Sequence, residues 1–308
     1  MTSAVADGGV PAVVAGSRAA TWRHRRFTPR KIVRETLFYL AVVFVVLIAL
    51  FPFYWILRTS LLSNQQIAEG VGGANGIVPS HLSGSAYKDV FTNSSFGFLD
   101  PLLNSLIVSL ATTVVTVIVA SMAGYALARL RIRGAGAILA FILLAGFFPV
   151  LAMIGPLFLV LRDLGMLNSI WPLIIIYLVY TLPITTWLLR SFFQQIPLEL
   201  EDAALVDGAT RLQTLRKVVI PVAIPGVFTA AILSFILAWN DFAFAVSFLT
   251  STNHFTAPLA ITTFGQSQYQ TFYNLIDAAV VIISVPIALL VLFAQRRIVS
   301  GLTAGSFR

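Results

Sequence analysis

The interval between two long apolar stretches reads PLELEDAALVDGATRLQTLRKVVIPVAIP, from Pro197 to Pro225. Pro197 interrupts the preceding backbone pattern, because proline offers no N–H group. The run from Leu198 to Val206 is rich in good helix formers. Glu199, Glu201 and Asp202 are expected to crowd its first turn, where acidic groups complement the helix dipole. This part of the interval therefore predicts a short helix.

The second half of the interval predicts a turn and another short helix. Asp207 and Gly208 form a dipeptide that is typical of turns. A second helix is expected from Thr210 to Val219, and Pro221 is expected to end it. The whole interval is thus predicted to be a compact helical hairpin between two membrane spans rather than a loose linker.

The spacing within this hairpin resembles the cytoplasmic coupling loop of ABC-importer permeases. That family's pattern is Glu-Ala-Ala, three residues, Gly, nine residues and Ile-x-Leu-Pro. This chain has Asp202-Ala203-Ala204, then Gly208, then Val218-Val219-Ile220-Pro221 at the same spacing. Asp202 replaces Glu, Val218 replaces Ile and Ile220 replaces Leu, and all three changes are conservative. The local Asp-Gly-Ala form is typical of the carbohydrate branch. A generic helical hairpin is the alternative.

The composition excludes most classes of soluble protein. The chain has 308 residues, of which 58% are hydrophobic and 10% are charged, and its mean hydropathy is +0.91. Soluble domains carry about a quarter charged residues. The chain contains no cysteine, which excludes disulfides, thiolate metal sites and a cysteine nucleophile. We therefore expect an all-α polytopic membrane protein, and the resemblance of its hairpin implies the fold of type I ABC importer permeases.

Six stretches are apolar over the roughly 20 residues that a transmembrane helix needs. They run Leu37 to Leu57, Leu102 to Leu127, Ala135 to Val160, Ile170 to Leu189, Val222 to Leu249 and Leu275 to Ala294. Several carry small and hydroxyl residues, which are expected to pack helices against one another. The domain organisation that follows comprises a disordered basic tail at 1–35, a six-helix permease domain at 36–300 (with its core at about 100–296 and the coupling loop at 197–221), and a cytoplasmic tail at 301–308.

Positive charge is distributed very unevenly between the two sides of the membrane. With the N-terminus inside, only Arg58, Lys88 and Arg162 of the 20 basic residues lie outside. Cytoplasmic loops carry such an excess of Lys and Arg. The bias explains the net charge of +8 without a nucleic-acid partner. It predicts a multi-pass protein of the cell membrane with both termini in the cytoplasm.

No catalytic or metal-binding set is apparent. The histidines His24, His81 and His254 fall in tails or outer loops, and none of the three lysines follows a glycine. A phosphate-binding GxxxxGK[ST] loop is therefore absent. We expect no metal, cofactor or enzymatic activity in this chain, so any ATP and Mg²⁺ would be bound by a separate ATPase.

Asp241 is an ionisable residue within the predicted fifth span, where such residues are costly and mark functional sites by default. It follows Trp239 and Asn240, and the three together resemble a carbohydrate-contacting set. Aromatic rings stack on sugars, while amides and carboxylates bond hydroxyl groups. A polar contact to a partner helix is the alternative reading.

The C-terminal sequence resembles the end of maltose-type permeases, whose tail reaches between two ATPase subunits. Gly301, Leu302 and Thr303 would make that contact, in an extended segment that suits a narrow interface. A short basic tail beside the membrane is the alternative.

The resemblance extends from the first span to the last residue and indicates the second membrane subunit of a carbohydrate-type ABC importer. It implies a homologous permease as heterodimer partner, two ATPase subunits and an extracytoplasmic sugar-binding protein. The residues expected to couple to the ATPase are Glu201, Asp202, Ala203, Ala204, Asp207 and Gly208. A secondary transporter or channel that uses Asp241 as an ion or proton site is the competing hypothesis. Within ABC importers, an amino-acid or peptide permease is the alternative.

Overall fold

The computed structural model describes residues 29–68, 82–92, 97–266 and 271–304. Within these ranges the regular structure is helical, apart from one isolated bridge between Gln266 and Thr271. The predicted all-α class is therefore confirmed. The chain divides into an N-terminal unit that ends at Pro52 and a larger unit from Phe53 onward. The site described below lies wholly in the larger unit.

The helices follow one another in the chain with these bounds: α1 Pro29–Ser60, α2 Asn64–Ala68, α3 Ser85–Thr92, α4 Leu99–Arg129, α5 Ala135–Gly146, α6 Val150–Asp163, α7 Trp171–Ile176, α8 Leu178–Gln194, α9 Leu198–Val206, α10 Arg211–Thr214, α11 Ile220–Val222, α12 Ile224–Trp239, α13 Ala243–Phe248, α14 Ala257–Ala260 and α15 Tyr273–Ala304. A π-helical turn, Leu215–Val219, joins α10 to α11. A 3₁₀ turn, Thr252–His254, precedes α14.

Among the described residues, four helices are long and apolar enough to cross a membrane on their own. They are Val33–Ser60, Leu99–Arg129, Trp171–Gln194 and Tyr273–Phe293. Two further spans exist if each of two bent helix pairs counts as one: Ala135–Gly146 with Leu151–Asp163, bent by 82°, and Arg211–Val222 with Ile224–Trp239, bent by 87°. The six predicted spans thus have helical counterparts, and the third and fifth are bent.

The fifth span ends earlier than the sequence predicts. Helix α12 stops at Trp239, and a break of three residues precedes α13. Asn240 Nδ2 donates to the carbonyl of Ile236 at 2.8 Å, and Asp241 Oδ1 accepts from the Ala245 N–H at 3.3 Å. Such side chains compete with the helical hydrogen-bond pattern. Asp241 therefore lies in a break between helices, and its placement within a continuous span is wrong.

Both ends of the described chain are more helical than expected. Helix α1 begins at Pro29, so residues 29–35 of the predicted disordered tail are helical. Helix α15 continues through Ala304, so the expected extended segment is instead the last turn of a helix. Alanine, glutamine and arginine at 294–297 are good helix formers, which favours helix here. Residues 1–28 and 305–308 lie outside the described residues.

Helices α4, α8 and α12 pack together through small and hydroxyl side chains. Thr116 of α4 and Thr181 of α8 share a hydrogen bond of 2.8 Å, and so do Thr185 of α8 and Ser234 of α12. Gly124 of α4 lies so close to α8 that an added Cβ would stand 3.1 Å from the backbone nitrogen of Arg190. Small residues allow this close approach, which fixes α4 and α8 side by side at the site described next.

Candidate functional site

The predicted hairpin is present and its turn depends on glycine. Residues 197–222 are called the coupling hairpin below. Gly208 has φ +84°, a left-handed conformation that glycine adopts without steric cost. The Ala209 N–H donates to the Ala204 carbonyl at 3.0 Å and closes the end of α9. After the turn, Thr210 and Gln213 form a reciprocal capping box that starts α10.

The base of the coupling hairpin is buried. Leu215 and Val219, in the π-helical turn, join a hydrophobic cluster with Phe193 of α8 and Tyr125 of α4. The second helix continues past Pro221 to Val222, further than predicted, since Pro221 occupies the first turn of α11, where proline is tolerated. The chain then bends by 87° into α12. The hairpin is thus anchored at its base and projects from the ends of α4 and α8.

The outer face of the hairpin is exposed and mixes acidic with apolar residues. Asp202, Ala203, Asp207 and Gly208 are exposed, and Ala204 is half-buried. Val206 is 87% exposed. Three further exposed leucines lie on the hairpin: Leu198, Leu200 and Leu212. These exposed apolar side chains are available for contact with another protein.

Glu201 faces the opposite way, so this predicted coupling residue is buried within the chain rather than exposed on the hairpin. The residue as a whole is 2% exposed. Its Oε1 atom lies 2.7 Å from Nε of Arg129, and its Oε2 atom accepts a hydrogen bond from the Tyr125 hydroxyl at 3.2 Å. Successive helix residues point about 100° apart, so Asp202 is exposed while its neighbour is buried.

Arg129 joins three elements at one guanidinium group. It belongs to the last turn of α4, pairs with Glu201 of α9 and donates to the carbonyls of Phe193 and Ile196 at the end of α8. Carbonyls in the last turn of a helix lack intrahelical partners, and a cation there is favourable. In the sequence, Arg129 is one of the basic residues expected on the inner side of the membrane. The clue in the sequence was that a basic residue, Arg129, ends one span while an acidic residue, Glu201, lies in the hairpin, so that the two could pair.

The second candidate set, Trp239, Asn240 and Asp241, does not form a common surface. Trp239 is 1% exposed and stacks on Phe235 with ring centroids 5.3 Å apart. Asn240 is exposed, but its amide is bonded to the Ile236 carbonyl of its own helix. Asp241 is partly accessible. The three side chains point in different directions because α12 ends at Trp239, before the other two residues.

Two tyrosines of the fourth span lie near Asp241 instead. The hydroxyl groups of Tyr177 and Tyr180 lie near its carboxylate. The ring of Tyr180 stacks on the ring of Phe244, with their centroids 6.3 Å apart. The hydroxyl groups of both tyrosines are buried and lack a hydrogen-bond partner of acceptable geometry. Nothing in the spacing of α7, α8 and α12 indicated that they would meet Asp241.

A cavity of about 390 Å³ lies at the opposite end of α4 from Arg129. Its polar lining includes Asp100, Thr252, Asn253 and Gln266. Asn104 of α4 donates to the carbonyls of Asn253 and Phe255 and fixes this wall. Helix α4 has 31 residues and is therefore about 46 Å long. It connects the cavity with the coupling hairpin.

The remaining candidates lie in the C-terminal helix. Gly301, Leu302 and Thr303 belong to the last turns of α15, and their side chains are outside the described part of the structure. No cluster of three or more His, Cys, Asp or Glu side chains that could hold a metal occurs among the described residues.

Comparison with known proteins agrees with the hairpin motif. Residues 117–303 match the family described as binding-protein-dependent transport system inner membrane component. The chain is 40% identical over 262 residues to the trehalose transport system permease protein SugB of Mycobacterium tuberculosis, covering 84% of this chain and 93% of that protein. It is 39% identical over 264 residues to the sulfoquinovosyl glycerol transport system permease protein SmoH of Agrobacterium fabrum, covering 84% and 89%.

The fold is also similar to that of a solved structure, a bacterial ABC transporter involved in the import of the acidic polysaccharide alginate. The TM-score is 0.72 at 23% identity, covering 88% of this chain and 98% of that one. This likeness establishes the fold alone. The matched region contains α8 to α12 with the whole coupling hairpin, which the sequence motif singled out. The chain therefore belongs to the family of binding-protein-dependent transport system inner membrane components.

Proposed function

We propose that this chain is a permease subunit of an ATP-driven ABC importer for a sugar, either a disaccharide or an oligosaccharide. A binding protein outside the cell delivers the sugar, and a partner ATPase drives alternating access. The chain pairs with a homologous permease, and two ATPase subunits bind ATP and Mg²⁺. It lies in the cell membrane with both termini in the cytoplasm, and it performs no catalysis itself.

The exposed face of the coupling hairpin is the observation that carries this proposal. Val206 is 87% exposed beside the left-handed turn at Gly208. The nine residues of α9 include Glu199, Glu201 and Asp202, so this helix is too short and too charged to enter lipid. An exposed apolar surface in water needs a partner. A groove with an apolar floor and basic rim, on an ATPase, would complement it.

The hairpin is also built to move as one body. Its turn is closed by the Ala209–Ala204 backbone hydrogen bond, and its base is buried at Leu215 and Val219. A rigid element of this kind transmits a displacement without absorbing it. Closure of the ATPase dimer would therefore shift the hairpin and the helices to which its base is fixed. Gly301, Leu302 and Thr303 of α15 are proposed as a further ATPase contact.

A sugar as substrate rests on two relatives of almost equal identity. Trehalose and sulfoquinovosyl glycerol, named for those proteins, both contain sugar rings with many hydroxyl groups. The partly accessible carboxylate of Asp241 can bond such groups. We assign this region to the substrate pathway. The two relatives differ in substrate, so the identity of the sugar requires measurement.

The test is co-purification of the native complex through a tag on this chain, with its proteins identified by mass spectrometry. A second permease, an ATPase with a phosphate-binding loop and a secreted binding protein are expected. The sugar carried by that binding protein would then identify the substrate. Recovery of the chain alone, as a stable homo-oligomer that transports without ATP, would overturn the proposal in favour of a secondary transporter using Asp241.

A further inference from the structure

The buried ion pair between Arg129 and Glu201 connects the coupling hairpin to the membrane helices. Their Nε and Oε1 atoms are 2.7 Å apart, and the two side chains are 6% and 3% exposed. Tyr125, one turn earlier on α4, donates to the other carboxylate oxygen. The contact therefore links α9 of the hairpin to the end of α4.

Helix α9 depends on this contact for its position. Glu201 is the only buried residue among its nine residues. Helices shorter than about 12 residues are marginal in isolation and need tertiary contacts. Most amphipathic helices obtain these contacts from an apolar face, whereas α9 inserts a carboxylate. The direction of α9 is thus set by a charged group held at a defined distance.

The same guanidinium also holds the end of α8. Arg129 donates to the carbonyls of Phe193 and Ile196, which flank the last residues of α8. A displacement of Glu201 therefore acts on α4, which carries Arg129, and on α8, whose terminal carbonyls Arg129 binds. Helices α4 and α8 are themselves joined by the Thr116–Thr181 hydrogen bond. The contact connects the hairpin to two spans at once.

Stability alone does not account for such a pair. Removing two charges from water is costly, and apolar residues of similar volume often stabilise a protein as well or better. What an ion pair with several hydrogen bonds supplies is a defined direction and distance. The planar guanidinium of Arg129 donates to two carbonyls through one nitrogen, Nη2, while its Nε atom lies against the Glu201 carboxylate. A lysine has the charge but not this geometry.

We propose that Arg129 and Glu201 are positioning residues that form the joint through which the coupling hairpin moves α4 and α8. This inference rests on the proposed function. Movement of the hairpin by the ATPase would pass through the joint and along α4 to the cavity at its outer end, where Asp100 lies. Without the carboxylate of Glu201, the hairpin would still bind the ATPase through its exposed face, but α4 would not follow it.

The test uses the purified complex with its ATPase, and MgATP as the probe. The chain has no native cysteine, so Asp100→Cys provides a single label site on α4 beside the outer cavity. Its rate of reaction with a maleimide is measured with and without MgATP. We expect MgATP to change this rate by about fivefold or more, as for a typical coupling between two sites. With Glu201→Gln, ATP hydrolysis should persist while the labelling rate no longer responds.

The matched control is Glu199→Gln, which removes an exposed carboxylate two positions earlier in the same helix. It should keep the full response to MgATP, and Glu201→Asp should recover part of it. The double variant Arg129→Gln with Glu201→Gln removes both buried charges. If the single variants lower the yield of complex, this double variant should restore the yield. It should not restore the change in labelling rate on addition of MgATP.

The outcomes separate this inference from the proposed function. If no ATPase co-purifies with the wild-type chain, the proposed function fails. If the ATPase is present and active but Asp100→Cys does not respond to MgATP, or if Glu201→Gln responds like the control, the joint is overturned. Recovery of both yield and response in the double variant would assign the pair a structural role only. If the single variants do not assemble, the joint is tested with two other variants. Glu201→Asp should keep part of the labelling response to MgATP, and the double variant should show none.

Discussion

The backbone of Gly226 lies directly against the ring of Phe192, and a Cβ added at Gly226 would stand 2.4 Å from the Phe192 Cγ atom. This contact joins the start of α12 to the end of α8, just beyond the 87° bend that follows the coupling hairpin. Any side chain at position 226 would push the two helices apart. The absence of a side chain is therefore a requirement for the junction between hairpin and membrane helices.

The substitution Gly226→Ala should destabilise this junction by about 1–3 kcal/mol, the usual cost of overpacking a core. Its apparent Tm in detergent should fall by at least about 2 °C. Gly155→Ala is the control, because no atom lies within 4 Å of a Cβ added at Gly155. Equal melting temperatures for the two variants would contradict the close contact.

The turn at Gly208 should tolerate asparagine better than proline. Gly208 has φ +84°, which proline cannot adopt because its ring holds φ near −65°. Gly208→Pro should abolish sugar uptake while membrane insertion stays intact. Gly208→Asn should retain most of the uptake, since asparagine is the residue after glycine that best accepts this conformation. Uptake is measured with the sugar found on the co-purified binding protein. Normal uptake by Gly208→Pro would disprove the role of the hairpin as a rigid lever.

The exposed face of the hairpin should bind the ATPase, and Val206→Lys should weaken that contact. Val206 is 87% exposed, so a lysine there disturbs no folded contact within this chain. The loss of apolar burial should cost about 1.4 kcal/mol or more and reduce ATPase binding about tenfold. Leu82→Lys, at an exposed leucine before α3, serves as control and should retain the ATPase. Equal recovery of ATPase by both variants would place its docking surface elsewhere.

The hydrogen bond between Thr185 and Ser234 should contribute to the packing of α8 on α12. Their hydroxyl oxygens are 2.8 Å apart and buried. Thr185→Val preserves the shape and should lower the stability by about 0.6 kcal/mol, the mean for such bonds between membrane helices. The double variant with Ser234→Ala should cost less than the sum of the single variants. Strict additivity in thermal unfolding would show that the bond contributes nothing.

The substitution Asp241→Asn should lower the affinity for the sugar without changing the energy source for its uptake. Hydrogen bonds to charged groups contribute about 1.5–3 kcal/mol, so Asp241→Asn should raise the sugar concentration for half-maximal uptake roughly tenfold or more. ATP should remain the energy source. Asp163→Asn, at an exposed carboxylate paired with Arg162, is the control. Uptake driven by an ion or proton gradient in vesicles without ATP, lost in Asp241→Asn, would support the secondary-transporter hypothesis instead.

Local patterns in the sequence were sufficient for most of the architecture. Apolar stretches of sufficient length predict helices wherever they occur, because a backbone in lipid must satisfy its own hydrogen bonds. The hairpin was equally predictable, since the helix formers before Gly208 and the turn itself act within a few residues. The breaks between helices were not predictable in this way. Asn240 and Asp241 end α12 through hydrogen bonds to backbone groups four residues away. Those bonds can form only once the neighbouring turn has formed.

The sequence by itself therefore determined the all-helical class, the candidate spans and the hairpin with its family motif. Only the tertiary structure decided which way each functional side chain faces. It turned Glu201 away from the exposed face toward Tyr125, 76 positions earlier in the chain, and it brought Tyr177 and Tyr180 to Asp241. The physical reason is that such contacts depend on how α4, α8 and α12 pack. That packing is set by close approaches, as at Gly124 and Gly226, which no short-range sequence pattern encodes.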